Sequence, residues 1–76
     1  MNKLFERITI NPEVCSGQAT IRGMRITASF VLKLIASGMT NKEIIKSYPE
    51  LEEEDLRQTI EYAAWLASEY QQPLAG

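Results

Sequence analysis

The chain has no histidine and a single cysteine, Cys15. Without histidine it lacks the commonest general base and the commonest metal ligand. One cysteine excludes an internal disulfide and fits a reducing compartment. With no histidine to activate it, Cys15 reads as a small packing residue rather than a nucleophile. Long apolar runs are missing too. None reaches the roughly 20 residues of a membrane span, and residues 1–10 lack the apolar centre of a signal peptide. A cytoplasmic protein is therefore expected. The acids near Glu52 have neither the glycine nor the spacing of a calcium loop. No nucleophile–base pair or cofactor motif is visible either, so the chain is expected not to be an enzyme and to use no cofactor.

What is present is enough apolar material for one small core. Of 76 residues, 45% are hydrophobic, which argues against disorder and for a single domain over residues 1–76. A core of that size supplies only a few kcal/mol of net stability, and oligomerisation is a common supplement. Net charge is −2, but it is unevenly spread. Residues 1–38 set five basic side chains (Lys3, Arg7, Arg22, Arg25, Lys33) against Glu6 and Glu13, a balance of +3. Residues 39–76 set Lys42, Lys46 and Arg57 against eight acids, a balance of −5. The molecule is polarised along its sequence.

Periodicity divides the chain into an arm, a helical core and a tail. Residues 1–26 read as a strand-and-loop arm, in which Ile8-Thr9-Ile10 alternates as a strand does and Asn11-Pro12 breaks it. Thr20-Ile21 is a second extended piece. Residues 27–70 read as a three-helix core. Thr27 is a suitable N-cap for a first helix over Ala28–Ser37, and Gly38 sits where a left-handed C-terminal cap is wanted. Thr40 and Glu43 have capping-box spacing at the start of a short second helix, which Tyr48-Pro49 ends. The third helix runs from Glu52 or Glu53 to Tyr70. Its apolar stripe, Leu56, Ile60, Ala63, Ala67 and Tyr70, is expected to face the core. Residues 71–76 form a tail.

The layout from Val31 to Leu66 is that of a tri-helical helix-turn-helix, whose last helix normally enters the major groove. A generic three-helix bundle fits the same pattern. Glu50, Glu52, Glu53, Glu54 and Asp55 crowd the start of that helix, where they suit the helix dipole but oppose a phosphate backbone. Any nucleic-acid contacts are therefore expected from Arg22 and Arg25, which flank Gly23, and from Lys3, Arg7 and Lys33. A solvated hairpin turn explains Arg22-Gly23-Met24-Arg25 equally well. Trp65 lies opposite the centre of the apolar stripe, with Tyr62 one turn before it. The pair reads as a protein-interface anchor, within a dimer or with another protein. Packing against the N-terminal strand is the alternative.

Several segments together carry a family resemblance. They are Ile10-Asn11-Pro12-Glu13-Val14-Cys15-Ser16-Gly17, Ile21-Arg22-Gly23-Met24-Arg25-Ile26 and Leu34-Ile35-Ala36-Ser37-Gly38-Met39-Thr40, followed by Ile44, Tyr48-Pro49-Glu50-Leu51, Asp55 and Tyr62-Ala63. On these the chain resembles bacterial domain-of-unknown-function family 433, regarded as antitoxins of toxin–antitoxin pairs. Ser16, Gln18 and Ala19 depart from the family's usual Gly, Lys and Pro, Met24 from a common Thr, and Glu52 from a Ser or Thr cap. The resemblance implies a homeodomain-like helical domain and a partner toxin resembling PIN-domain ribonucleases. The expected fold is thus mainly α, a tri-helical bundle with a short β-containing N-terminal arm. The expected function is an antitoxin-like binding protein that neutralises its toxin by direct contact and regulates its own operon. A stand-alone DNA-binding transcriptional regulator and a structural dimerisation module remain the alternatives. Candidate partners are a second copy of the chain, the PIN-like toxin and operator DNA.

Overall fold

Two hydrogen-bonded strands and three helices succeed one another in the computed structural model, which describes residues 5–69. Strand β1 (Ile8–Ile10) is followed by a 3-10 turn (Cys15–Gly17), strand β2 (Ala19–Ile21), helices α1 (Ala28–Ala36) and α2 (Asn41–Ser47), and the long helix α3 (Glu53–Glu69). Tyr70 and Lys3 lie outside the described residues. The strands pair antiparallel, Ile8 opposite Ile21, Thr9 opposite Thr20 and Ile10 opposite Ala19. Period-two alternation turns Ile8, Ile10, Ala19 and Ile21 to one face. On the other face the Thr9 and Thr20 hydroxyls share a hydrogen bond of 3.0 Å.

Local chemistry sets the helix boundaries. The Thr27 hydroxyl accepts the Phe30 amide at 3.0 Å and starts α1. Past its end Gly38 stands at φ +100°, a conformation glycine takes without strain. Its amide donates to the Ile35 carbonyl and the Met39 amide to that of Leu34, closing a Schellman motif. The Thr40–Glu43 capping box forms in both directions, at 3.2 Å and 2.8 Å. Tyr48, held out of helical geometry before Pro49, ends α2.

The core is assembled from both strands, the three α-helices and the loop before α3. Ile21, Ala28, Val31, Ile44, Leu51 and Leu56 are all buried, with Ile8, Leu34, Ile35 and Tyr62 packed around them. The N-terminal residues thus enter the centre of the molecule through Ile21. On α3 the inward face is not the expected stripe. Ile60 is 46% exposed and Ala67 is also exposed, while Asp55, Leu56, Gln58 and Thr59 are buried. Apolar periodicity misassigned the helix phase because three polar side chains find partners inside. Asp55 meets two arginines, the Gln58 carbonyl accepts the Arg7 amide at 3.0 Å, and the Thr59 hydroxyl donates to the Asp55 carbonyl at 2.7 Å.

Leu56→Ala is expected to destabilise the fold by about 2–5 kcal/mol and Ile60→Ala by less than about 1, because only the former empties a filled site. Gly38→Val should cost about 1–2 kcal/mol from backbone strain alone, since nothing lies within 4 Å of a Cβ built there. Denaturant melts of the three variants check both contrasts.

Candidate functional site

Two features of the structure bear on function: an ion cluster that fixes the arm to α3, and a pair of apolar clefts on either side of Tyr62.

The cluster is centred on Asp55, which is fully buried. Glu52 precedes α3 and Asp55 is its third residue, so the Asp55 carboxylate reaches back to accept the Glu52 amide at 2.8 Å. This is the side-chain half of a capping box in which the capping position itself is a glutamate. The same carboxylate accepts two hydrogen bonds from Arg22, at 3.0 and 2.9 Å, and one from Arg7 at 3.1 Å. Arg7 also pairs with Glu52 at 2.7 Å, and Arg22 donates to the Glu50 carbonyl at 2.7 Å. Antiparallel pairing brings the two arginines side by side, with the Arg22 amide donating to the Arg7 carbonyl at 2.7 Å. The turn at Ile21–Met24 aims Arg22, which adopts φ 48° beside Gly23 at φ 74°, as a tight hairpin turn demands.

Burial by itself pushes the Asp55 carboxyl up. The hydrogen bonds from Arg22, the Glu52 amide and Arg7 outweigh it, and the group titrates below the ordinary aspartate range. Further along α3, hydrogen bonds from Arg57 and Gln58 hold the Glu54 carboxyl down at about 2. Arg57 bridges Glu54 and Glu61 on the exposed side of the helix.

The five proposed nucleic-acid contacts therefore separate. Arg7 and Arg22 share Asp55. Arg25 and Lys33 are exposed and have no ion-pair partner among the described residues. Lys3 lies outside the described residues. Lys42 and Lys46, not singled out from the sequence, are exposed one turn apart on α2 and are likewise unpaired.

The first cleft, of about 480 Å³, lies between α1 and α3 and is lined chiefly by Ala28, Leu32, Ala36, Tyr62 and Leu66, with Lys33 on its border. The second, of about 540 Å³, lies beside β1 and is lined by Phe5, Ile8, Ile10, Tyr62 and Trp65. The Tyr62 ring stacks on Trp65 with centroids 6.3 Å apart, and Phe5 packs on both at 5.6 and 5.8 Å. Trp65 thus touches a residue just before β1 and still leaves 40% of its surface exposed. Among the described residues no group of three or more Cys, Asp or Glu stands close enough to hold a metal ion. No helix of the described residues is long and apolar enough to cross a membrane.

Sequence reasoning missed Asp55 as the anchor. The signal was its spacing three residues after Glu52, which marks a side chain turned back on the helix start. It also missed the α1–α3 cleft, because small residues such as Ala28 and Ala36 carry no pattern of their own.

Comparison with known proteins gives two findings. The family model described as "Protein of unknown function (DUF433)" matches residues 8–63. The crystal structure of a DUF433 member protein from Anabaena variabilis is similar over 87% of this chain, with 35% identity and a TM-score of 0.77. This chain spans 65% of the length of that protein. No curated protein matches the chain.

Asp55→Asn is expected to destabilise the protein by about 1–3 kcal/mol, less than for a fully enclosed pair because both arginines reach solvent. A carboxyl whose folded pKa is depressed contributes stability that is present above its unfolded value, about 3.9. That contribution is lost as pH falls through the lowered folded value. The gap between wild type and Asp55→Asn should therefore be constant near neutrality and close in acid, as denaturant melts across pH will register.

Proposed function

The chain belongs to the DUF433 family of proteins of unknown function, and from that premise we propose that it is an antitoxin-like binding protein that neutralises a PIN-like ribonuclease toxin by direct contact. The observation that carries this reading is the α1–α3 cleft. It is open and mostly apolar, lined by Ala28, Leu32, Ala36 and Leu66, with Gln18, Ser29 and Lys33 supplying its polar part. Such a surface suits an amphipathic segment of a partner protein, with apolar anchors in the cleft and an acid against Lys33. Arg7 and Arg22, two of the five cations expected from the sequence to meet phosphate, are engaged by Asp55 and Glu52. Five acids at the head of α3 further disfavour groove reading by that helix. In this reading α2, its turn and α3 form a helix-turn-helix within a homeodomain-like bundle that serves protein contact first.

Operon regulation is a second activity of the same protein, and one observation favours it. Arg25, Lys33, Lys42 and Lys46 are exposed and without ion-pair partners among the described residues. DNA contacts then fall on these four rather than on Arg7 and Arg22.

The test of the main reading is a search for a PIN-like ribonuclease gene beside this one and, where it is found, inhibition of its product. Stoichiometric wild-type protein should abolish its activity. Ala36→Arg, an exposed change that fills the cleft with a charged chain, should weaken inhibition at least about tenfold without lowering the melting point. No adjacent ribonuclease, or full inhibition by Ala36→Arg, overturns the assignment. For the second activity, Arg25→Ala should lower the salt slope of operator binding by about one unit, and Arg22→Ala should act through stability instead.

A further inference from the structure

Among the described residues strand β1 has one neighbour, β2. Its pairing with β2 leaves an alternation that can be followed group by group. The Arg22 amide donates to the Arg7 carbonyl, so that carbonyl and, two positions on, the backbone groups of Thr9 face β2, while the Arg7 amide donates to Gln58 on α3. Opposite Ile8, the Ile21 amide turns away from β1 and donates to the Ile26 carbonyl at 2.9 Å. The amides and carbonyls of Ile8 and Ile10 therefore point to the open edge, and none has a hydrogen-bond partner among the described residues. Such an edge is a template for another strand.

The aromatic cleft opens on the same edge. Ile8 and Ile10 share the helix-facing side of the sheet and line the cleft with Phe5, Tyr62 and Trp65. Ile10 is 64% exposed, the most exposed large apolar side chain among the described residues.

The geometry points to a second copy of this chain as the occupant, joined through β1 in an antiparallel, two-fold symmetric pair centred on Thr9. In that register Ile8 of one copy stands opposite Ile10 of the other. Those are the two positions whose backbone groups have no partner among the described residues, so their donors and acceptors match in four hydrogen bonds. Shifting the centre to Ile10 instead would place Ile8 opposite Pro12, which has no amide to give. The set of free groups is self-complementary about Thr9, as an isologous interface requires. Side chains opposite each other lie on the same face, so Ile10 of each copy falls beside Ile8 of the other, at the mouth of its aromatic cleft. One association thereby satisfies the open edge and covers both the exposed isoleucine and the exposed face of Trp65. The result is a four-stranded sheet in the order β2, β1, β1, β2, with both helical layers on one side. The α1–α3 cleft lies on the other side of Tyr62 and remains free, so this inference stands independently of the toxin reading.

The experiment is sedimentation of the full chain, free of any partner, over a concentration series, with Trp65 emission recorded in parallel. Trp65 is the single tryptophan and reports its own burial. Wild type should shift from monomer to dimer, with emission moving to shorter wavelength over the same range. Ile10→Pro removes an edge-facing amide and leaves the β1–β2 bonds intact; Ile10→Lys sets a charge at the cleft mouth. Each should raise the dimer dissociation constant at least about tenfold and leave the thermal melt of the monomer unchanged. If Ile10→Pro fails to fold, Ile10→Lys decides alone, since that side chain is already largely in solvent. A wild type monomeric at every concentration overturns the proposal, whether the edge is then covered by residues 1–4, by residues 70–76 or by another protein. A dimer indifferent to the folded Ile10 variants overturns it as well.

Discussion

A buried carboxylate holds this small domain together. Asp55 lies at the point where the N-terminal hairpin, the loop before α3 and α3 itself meet, and its two oxygens tie the first two to the helix that carries it. An ion of that kind is costly to remove from water unless every lone pair is engaged. Here Arg22 and Arg7 supply the countercharge and the Glu52 amide supplies the remaining donor. Much else follows from satisfying that one group. Arg22 accepts a left-handed backbone to reach it, Arg7 leaves its amide to Gln58, and the inward phase of α3 is set by polar residues.

That constraint also distributes the surface. With Arg7 and Arg22 drawn inward, the positive balance of the first half of the chain is less available to an external anion than the sequence suggests. With α3 rotated so that Asp55, Gln58 and Tyr62 face the core, Ile60 is turned outward and Trp65 lines the cleft beside β1. Tyr62 then separates two apolar clefts of different character. One is a helix–helix groove with a single lysine at its edge, and the other adjoins a strand whose outer edge has no partner among the described residues. A groove suits a side-chain-led contact with a different protein, and an open edge suits backbone pairing with a strand. The two surfaces can be used together.

Much of the local structure was legible in the residues. Thr27 as a cap, Gly38 beyond α1, the Thr40–Glu43 box and the stop at Tyr48-Pro49 all form as their spacing predicts, because each depends on groups only a few positions apart. The strand at Ile8–Ile10 was equally clear from its alternation. Its partner was seen only as an extended fragment, since nothing local says that Ile21 will stand opposite Ile8. The phase of α3 was misread for a related reason. Periodicity counts apolar residues, whereas the inward face here holds Asp55, Gln58 and Thr59, and polar groups are stable inside only when distant partners exist for them.

The sequence by itself determined where α1 and α2 begin and end, where α3 and the strand at Ile8–Ile10 start, how the charge is divided between the two halves, and which chemistries lack the residues they need. These are properties of neighbours in the chain, decided by capping, turn geometry and composition. Only the tertiary structure decided that Arg7 and Arg22 belong to Asp55, that Ile60 is a surface residue, and that Tyr62 and Trp65 border two clefts and an open strand edge. Arg7 and Asp55 are separated by 48 positions. An interaction across that separation depends on the summed packing of everything between them, and no short-range pattern encodes it.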